Sequence, residues 1–138
     1  MENKTVINIE MVIDYIEHHL DGKLDLETIA LDSHYSKYHL HRMFTSTTGM
    51  TIHDYVQRRQ LTEAAKLLVF SQKSILEIAL SCGYESQQAF SSAFKSMYKI
   101  TPAEYRNHQE FYPLQLRFTL CRNTESKEFT RDDICLAR

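Results

Sequence analysis

Two stretches of the sequence carry basic, amide and hydroxyl side chains without any acidic neighbour. Residues 33–53 and 86–103 contain no aspartate or glutamate, although each contains lysine or arginine. The side chains suited to base and phosphate contacts are Lys37, Tyr38, His41, Arg42 and Thr45 in the first stretch, and Gln87, Gln88, Ser91, Ser92 and Lys95 in the second. Arginine can fork to guanine, glutamine to adenine, and an aromatic edge can pack on a thymine methyl, while lysine and hydroxyl groups suit phosphates or either base. The competing interpretation is that these are polar helix faces that are merely solvated.

The two stretches belong to an internal repeat. Ile29-Ala30-Leu31 matches Ile78-Ala79-Leu80, and Tyr35 matches Tyr84, at an offset of 49 residues. After one inserted residue the offset is 50, and the matching pairs are Ser36 with Ser86, Leu40 with Phe90, Phe44 with Phe94, Thr51 with Thr101 and Tyr55 with Tyr105. Each copy predicts a short helix, a short turn and a second helix opened by serine, which is the helix-turn-helix plan. The ten candidate side chains fall at equivalent positions of the two copies, which favours base reading over a merely solvated face.

Capping residues predict the helix boundaries. An opening helix at about 8–20 is followed by predicted helices at 26–33, 37–47, 52 to about 70, 75–81, 87–98 and one after Thr101. Ser74 with Glu77, and Thr101 with Glu104, have the spacing of capping boxes. Three glycines and two prolines leave few tight turns, so we expect an all-α fold of about seven helices. The predicted organisation is a first helix-turn-helix unit at 1–50, a linker helix at 51–71, a second unit at 72–110 and a short C-terminal extension at 111–138.

The long linker helix has two apolar faces. Ile52, Tyr55 and Val56 lie on one side, and Leu61, Ala64, Ala65 and Leu68 lie nearly opposite at about 100° per residue. We therefore expect its first half to pack on the first unit and its second half on the second unit. Roughly 19 residues span nearly 30 Å at about 1.5 Å per residue. Adjacent major grooves on one face of DNA lie about 34 Å apart, so a rigid linker predicts some bending of the DNA.

Charge is distributed unevenly along the chain. The net charge of −2 lacks the overall basic character expected of a nucleic-acid binder. Residues 1–32, however, carry a net charge of −6, which leaves +4 for the remainder. We expect the acidic face of the opening helix to point away from DNA. No secretory signal, no membrane-spanning window and no cysteine framework is apparent, which indicates a soluble protein of the cytoplasm, associated with the nucleoid.

Enzymatic and metal-dependent functions find little support. His34, His39 and His41 are close in sequence, yet no histidine pair has the i, i+4 spacing of a zinc-binding helix and no cysteine joins them. No Ser/His/Asp or Cys/His arrangement, glycine-rich phosphate loop or paired carboxylate motif occurs. We therefore expect no catalytic residues, no metal and no cofactor.

The segments SKYHLHRMF, followed by Thr-Gly, and GYESQQAFSSAFKSMYKITPAEYR resemble the two recognition segments of AraC/XylS-type regulators. The likeness covers about residues 8–108 and is closest to the single-domain MarA/SoxS/Rob group. It implies a monomer that binds double-stranded DNA at an asymmetric site of roughly 20 base pairs. It further implies activation through RNA polymerase, in that group often of genes for antibiotic efflux and stress defence.

The resemblance carries over unevenly to the first unit. Tyr38 stands where the group usually has tryptophan, His41 where it has glutamine, and Arg42 where it has arginine. His34 occupies a turn position where the group has glycine and where the second copy keeps Gly83. Such turns often need a positive φ, which histidine adopts at some energetic cost.

In the second unit Gln87, Gln88 and Ser91 stand at the contact positions that the resemblance implies, but Ser92 replaces the expected arginine. Guanine readout in the second half-site is therefore in question. We expect the first unit to select sequence more strictly than the second.

Two alternatives remain open from the sequence. The acidic first 32 residues suit an adaptor that contacts RNA polymerase or another regulator and binds DNA only weakly. The segment FYPLQLRFTLCR alternates like a strand, so residues 111–138 are expected to form a short packed strand or a mobile tail. A weaker hypothesis gives this extension a role in sensing a small ligand.

Overall fold

Seven α-helices follow one another along residues 2–22 and 24–119, the part of the chain that the computed structural model describes. They are α1 Glu2–His18, α2 Leu26–Ser33, α3 Lys37–Thr48, α4 Ile52–Phe70, α5 Ile75–Ser81, α6 Gln87–Tyr98 and α7 Pro102–His108. No strand occurs among the described residues, and the predicted all-α fold of about seven helices is confirmed. None of these helices is long and apolar enough to cross a bilayer.

Side chains cap the first turn of every helix from α2 to α7. In each case the side-chain oxygen of the residue before the helix accepts a hydrogen bond from a backbone N–H in the first turn. Both predicted capping boxes are present, because the carboxylates of Glu77 and Glu104 also accept from the backbone N–H groups of Ser74 and Thr101, each at 2.9 Å. A cap contributes about 1 kcal/mol, which matters most for the seven-residue helices α5 and α7.

The first helix ends before its predicted boundary near residue 20. The backbone N–H of His19 donates to the carbonyl oxygen of Ile16 at 3.0 Å, which leaves the carbonyl of Tyr15 without its helical donor. The His19 ring replaces that donor, because its Nδ1 lies 2.7 Å from the Tyr15 carbonyl oxygen and the ring stacks on Tyr15. A side chain thus satisfies the terminal carbonyl and the helix needs no further turn.

The long helix α4 contributes to two separate hydrophobic cores, as its two apolar faces predict. Its first half, from Ile52 to Val56, packs with α1, α2 and α3, while its second half, from Leu61 to Leu68, packs with α5, α6 and α7. The first core is mainly aliphatic, with four isoleucines from α1 and α2 fully buried or nearly so. The second core contains a cluster of aromatic rings, which are Phe90, Phe94, Tyr98 and Tyr105.

The chain continues after α7 as an extended segment that packs on the helices. We call residues 111–119 the C-terminal strap. The strap makes no strand, so the prediction of a strand is wrong for these residues, and it is not a free tail either. Phe118 packs against the first core, while Phe111 and Leu114 pack against the second. The remainder of the predicted extension lies outside the described residues.

A buried ion-pair network joins α1, α4 and the strap. The Arg59 guanidinium donates to both carboxylate oxygens of Glu17 at 2.7 and 2.8 Å, to Glu63 at 3.0 Å and to the carbonyl oxygen of Gln115 at 3.0 Å. The Arg59 side chain is only 6% exposed. Burial alone would lower the pKa of Arg59, but the hydrogen bond and the charge of Glu17 raise it above its usual value. Arg59 therefore stays charged and depends on its carboxylate partners.

Candidate nucleic-acid interface

The turn of each helix-turn-helix unit is built around one residue with positive φ. His34 ends α2 with φ 67°, and Gly83 takes the equivalent place in the second unit with φ 88°. The predicted left-handed conformation of His34 is thus present in the structure. The repeat extends to the ends of α3 and α6, where Gly49 and Lys99 have φ 81° and 72°. At these two repeat-equivalent positions each unit therefore has one glycine and one non-glycine residue, in opposite order.

The α3 helix carries four of the predicted contact residues on an exposed face. Lys37, Tyr38, His41 and Arg42 are all exposed, and 69% of Tyr38 is open to solvent. The Arg42 guanidinium lies over the Tyr38 ring, 5.4 Å from its centroid, in a cation–π arrangement. The two side chains therefore present a single surface in which the aromatic ring supports the arginine fork.

An acid from α2 reaches one end of this face. Lys37 Nζ lies 3.6 Å from Glu27 Oε2, and both side chains are more than half exposed. Such a pair contributes little to stability, so Lys37 can exchange Glu27 for a phosphate at small cost. Glu27 belongs to the preceding helix and lies outside the acid-free stretch 33–53 of the sequence.

Thr45, the fifth predicted residue of the first face, is less accessible than the other four. Its hydroxyl Oγ1 is buried and has no hydrogen-bond partner among the described residues. Thr45 therefore lies at the margin of the face, and its hydroxyl needs a change of rotamer to reach a DNA group. A buried hydroxyl without a partner is uncommon in folded proteins.

The α6 helix presents the second face. Gln87, Gln88, Ser92 and Lys95 are exposed, whereas Ser91 is half-buried at the edge of the aromatic core. The opposite side of α6 holds rings of the second core. No acidic residue occurs in α3 or in α6, so each helix offers an acid-free outer surface of its own.

Comparison with known proteins identifies this arrangement. A family model described as a helix-turn-helix domain matches residues 16–108. The chain is 42% identical over 101 residues to the TetD protein of transposon Tn10 from Escherichia coli, covering 73% of each chain. It is 39% identical over 104 residues to the multiple antibiotic resistance protein MarA of Escherichia coli K12, covering 75% of this chain and 82% of MarA. The chain belongs to the AraC family of transcription regulators.

One of the solved structures that this fold resembles includes DNA. The DNA-binding domain of the global transcriptional factor AdpA, in complex with a target DNA, superimposes with a TM-score of 0.66 at 30% identity. The match covers 72% of this chain and 90% of that domain. Membership of the AraC family makes the protein a DNA-binding transcription regulator and not an enzyme.

Not every basic residue of this AraC-family chain is available for DNA. The Arg106 guanidinium donates to the carbonyl oxygens of Leu68, Ser71 and Lys73 at 2.8, 3.3 and 2.7 Å. Arg106 thereby binds the C-terminal end of α4, where carbonyl groups lack helical donors. Its role is structural, unlike that proposed for Arg42 on α3.

The cysteine of this AraC-family chain that lies in the described residues is buried in the second core. Cys82 Sγ donates to the carbonyl oxygen of Gln60 at 3.7 Å, and only 4% of the residue is exposed. Burial raises the pKa of the Cys82 thiol to about 11. The thiol therefore stays protonated at neutral pH, which makes it a poor nucleophile.

Proposed function

We propose that the protein binds, as a monomer, an asymmetric DNA site of about 20 base pairs with one recognition helix in each of two adjacent major grooves. The observation that carries this proposal is the pair of exposed faces on α3 and α6, two helices without acidic residues of their own, at repeat-equivalent positions of one chain. The 19-residue helix α4 lies between the two units. Its length of about 28 Å is less than the groove spacing of about 34 Å, so we expect the bound DNA to bend.

The two faces are assigned unequal chemical roles. In the first unit, Arg42 forks to guanine with support from Tyr38, which also packs on a thymine methyl, and His41 contacts a neighbouring base. Lys37 and Thr45 lie toward the phosphates.

In the second unit, Gln87 and Gln88 read adenine through its N6 and N7 groups. Ser91, Ser92 and Lys95 contact phosphates or accept either base. The second half-site should therefore tolerate more sequence variation than the first.

We further propose that the protein activates transcription in the cytoplasm through contact with RNA polymerase. The printed name of MarA refers to multiple antibiotic resistance, and by similarity we propose genes for drug resistance or stress defence as targets. The α1 helix bears the half-buried Glu10 and the exposed Asp14, and Asp14 pairs with His18 and Arg117. We propose that this acidic part of α1 contacts the protein partner while both recognition helices occupy DNA.

The test is selection of binding sites from randomised DNA, followed by footprinting with the full chain. We expect two protected patches in adjacent major grooves, one helical turn apart. Arg42→Ala should weaken binding by about 1–3 kcal/mol and relax one base position in the first patch only. Lys66→Ala is the matched control, because Lys66 loses the same charge from an exposed position on α4 outside both faces. A single protected patch, or an unchanged Arg42→Ala isotherm, would contradict the proposal.

A second candidate function is an adaptor that binds RNA polymerase or another regulator and touches DNA weakly. The net charge of −6 on residues 1–32 favours it. A salt titration separates the two functions. Several phosphate contacts require a steep linear fall of log K with log salt concentration, whereas an adaptor gives a flat response.

A further inference from the structure

The C-terminal strap runs along α4 in the opposite direction to the helix. The backbone N–H of Phe118 donates to the Tyr55 hydroxyl at 2.9 Å, near the start of α4. The N–H groups of Leu114 and Gln115 both donate to Thr62 Oγ1 at 3.0 Å, farther along the helix. Two side chains of one helix thus take up the backbone donors that a neighbouring strand would otherwise bind.

The beginning of the strap is fixed to the second unit. The carbonyl oxygen of Tyr112 accepts from the hydroxyls of Tyr98 and Tyr105 at 2.9 and 3.1 Å. The backbone N–H of Tyr112 donates to the Tyr105 hydroxyl at 2.8 Å. These tyrosines come from α6 and α7, so the strap is bonded to the helix that carries the second recognition face and to its neighbour.

The end of the strap is fixed to the first unit. The Phe118 side chain packs against the first core, and the carbonyl oxygen of Gln115 binds Arg59, which in turn binds Glu17 of α1. Arg117 adds an ion pair with Asp14 of α1 at 3.4 Å. One short segment therefore bonds to both helix-turn-helix units and to the helix between them.

Thr62 is the residue through which the middle of the strap is bonded to α4. It is completely buried, and Tyr55, Arg59 and Thr62 follow the i, i+4, i+7 spacing that places side chains on one face of a helix. The Thr62 hydroxyl accepts two consecutive backbone N–H groups of the strap, which fixes the strap in register along α4. A helix alone could twist or bend between the units, whereas a helix bonded along its side to an antiparallel segment is braced.

We propose that the strap sets the distance and the rotation between the two recognition helices and thereby the half-site spacing that the protein accepts, with Thr62 as a positioning residue. This inference rests on the proposed binding of two adjacent grooves. One base pair inserted between the half-sites moves the second by about 3.4 Å along the DNA and rotates it by about 34°. A braced pair of units cannot follow that change, while a loosened pair can.

The experiment measures the affinity of the full chain for three DNAs that carry the selected site with its own spacing, with one added base pair and with one base pair removed. We expect the wild-type protein to lose at least about tenfold in affinity when the spacing changes, since the contacts of one half-site are disturbed. Thr62→Val keeps the shape of the side chain and removes the acceptor. The affinity of this variant should fall by less than about threefold when the spacing changes, which is no more than the cost of a single disturbed contact.

Tyr112→Phe is the matched control, because Tyr112 makes its bonds to Tyr98 and Tyr105 through its backbone. It should keep the wild-type spacing preference. The measured quantity is the ratio of the affinities for the three DNAs. A loss of folded protein lowers all three affinities together and leaves this ratio unchanged. If Thr62→Val does not fold, Tyr55→Phe replaces it, since this variant removes the acceptor for Phe118 and, besides it, only a long hydrogen bond of 3.4 Å from the Tyr55 hydroxyl to Glu17.

The outcomes separate this inference from the proposed function. A wild-type protein that binds all three DNAs equally would overturn two-groove binding, and with it the role of the strap. A wild-type protein that discriminates between spacings, together with variants that discriminate equally well, would leave two-groove binding in place and overturn the role of the strap alone.

Discussion

The two helix-turn-helix units share a plan but are stabilised by different means. The first has a mainly aliphatic core and a buried ion-pair network at its boundary with the strap, centred on Arg59 and Glu17. The second has a cluster of aromatic rings, in which Phe94 stacks on Tyr98 with centroids 4.5 Å apart. The outer faces also differ, because Arg42 has Ser92 as its repeat equivalent. The two units thus share their capping residues and the placement of their turns, whereas their cores and outer faces differ.

Removing a ring from the aromatic cluster should have the largest effect on stability. Phe94→Ala should lower the free energy of unfolding by about 3–5 kcal/mol, because a buried ring is replaced by a cavity. Phe44→Ala, at the repeat-equivalent position, should cost about 1–2 kcal/mol less, since Phe44 has one ring contact at 5.7 Å whereas Phe94 has three. Thermal and urea unfolding measure both. Equal losses would show that the ring cluster adds nothing beyond burial.

Breaking the ion-pair network should weaken the first unit. Glu17→Leu leaves Arg59 buried without its main partner and should cost about 3–5 kcal/mol. Asp14→Leu is the control, because Asp14 belongs to exposed ion pairs with His18 and Arg117 and should cost less than about 1 kcal/mol. Urea unfolding of both variants decides the matter. Similar losses would mean that the buried network stabilises the fold no more than surface pairs do.

Placing an arginine on the outer face of α6 should reduce the difference in base selectivity between the two recognition helices. Ser92→Arg should strengthen binding to sites with guanine at the facing position by about 1–3 kcal/mol relative to sites without it. Binding to a library that varies only the second half-site measures this preference. Lys95→Arg serves as the control, since it keeps the charge of α6 and adds a guanidinium one turn away. A uniform gain over all sequences would indicate a phosphate contact instead of base reading.

The smallest expected effect concerns the turns. His34→Gly removes the cost of a left-handed conformation and should raise the free energy of unfolding by up to about 1 kcal/mol, after the greater entropy of glycine is subtracted. Gly83→Ala, at the equivalent position in the second unit, should lower it by about 1–2 kcal/mol. Denaturant unfolding of the two variants should give changes of opposite sign. A loss of stability in His34→Gly would show that the histidine ring has a compensating contact.

Local signals predicted most of the helical framework. Capping residues and the repeat gave the starts of α2 to α7 because these features depend on neighbours three or four residues apart. The strap could not be predicted in this way. Its alternating apolar residues do reflect one-sided burial, as Leu114 and Phe118 show. The backbone partners of its second half, however, are Thr62 and Tyr55, which lie 52 to 63 positions away in sequence. No local pattern distinguishes a buried threonine acceptor from an ordinary helical threonine.

The same limit applies to the recognition faces. Exposure of Tyr38 and Arg42 followed from helical periodicity, but the ring contact between them depends on rotamers. The buried hydroxyl of Thr45 could not be anticipated, because the angular position of Thr45 on α3 is close to the boundary between the core and the outer face. The pairing of Arg59 with Glu17 links residues 42 positions apart and was likewise absent from any local pattern.

The strap also has a consequence for the order in which the molecule assembles. Each helix and turn closes over a few residues, whereas the bond between Phe118 and Tyr55 closes a loop of 63 residues. The entropic cost of loop closure grows with loop length, and contacts distant in sequence slow the folding of small domains. The two units can therefore form from nearby contacts, and a segment that is synthesised after both of them joins them. While residues 111–119 have not yet left the ribosome, the strap therefore does not yet connect the two units.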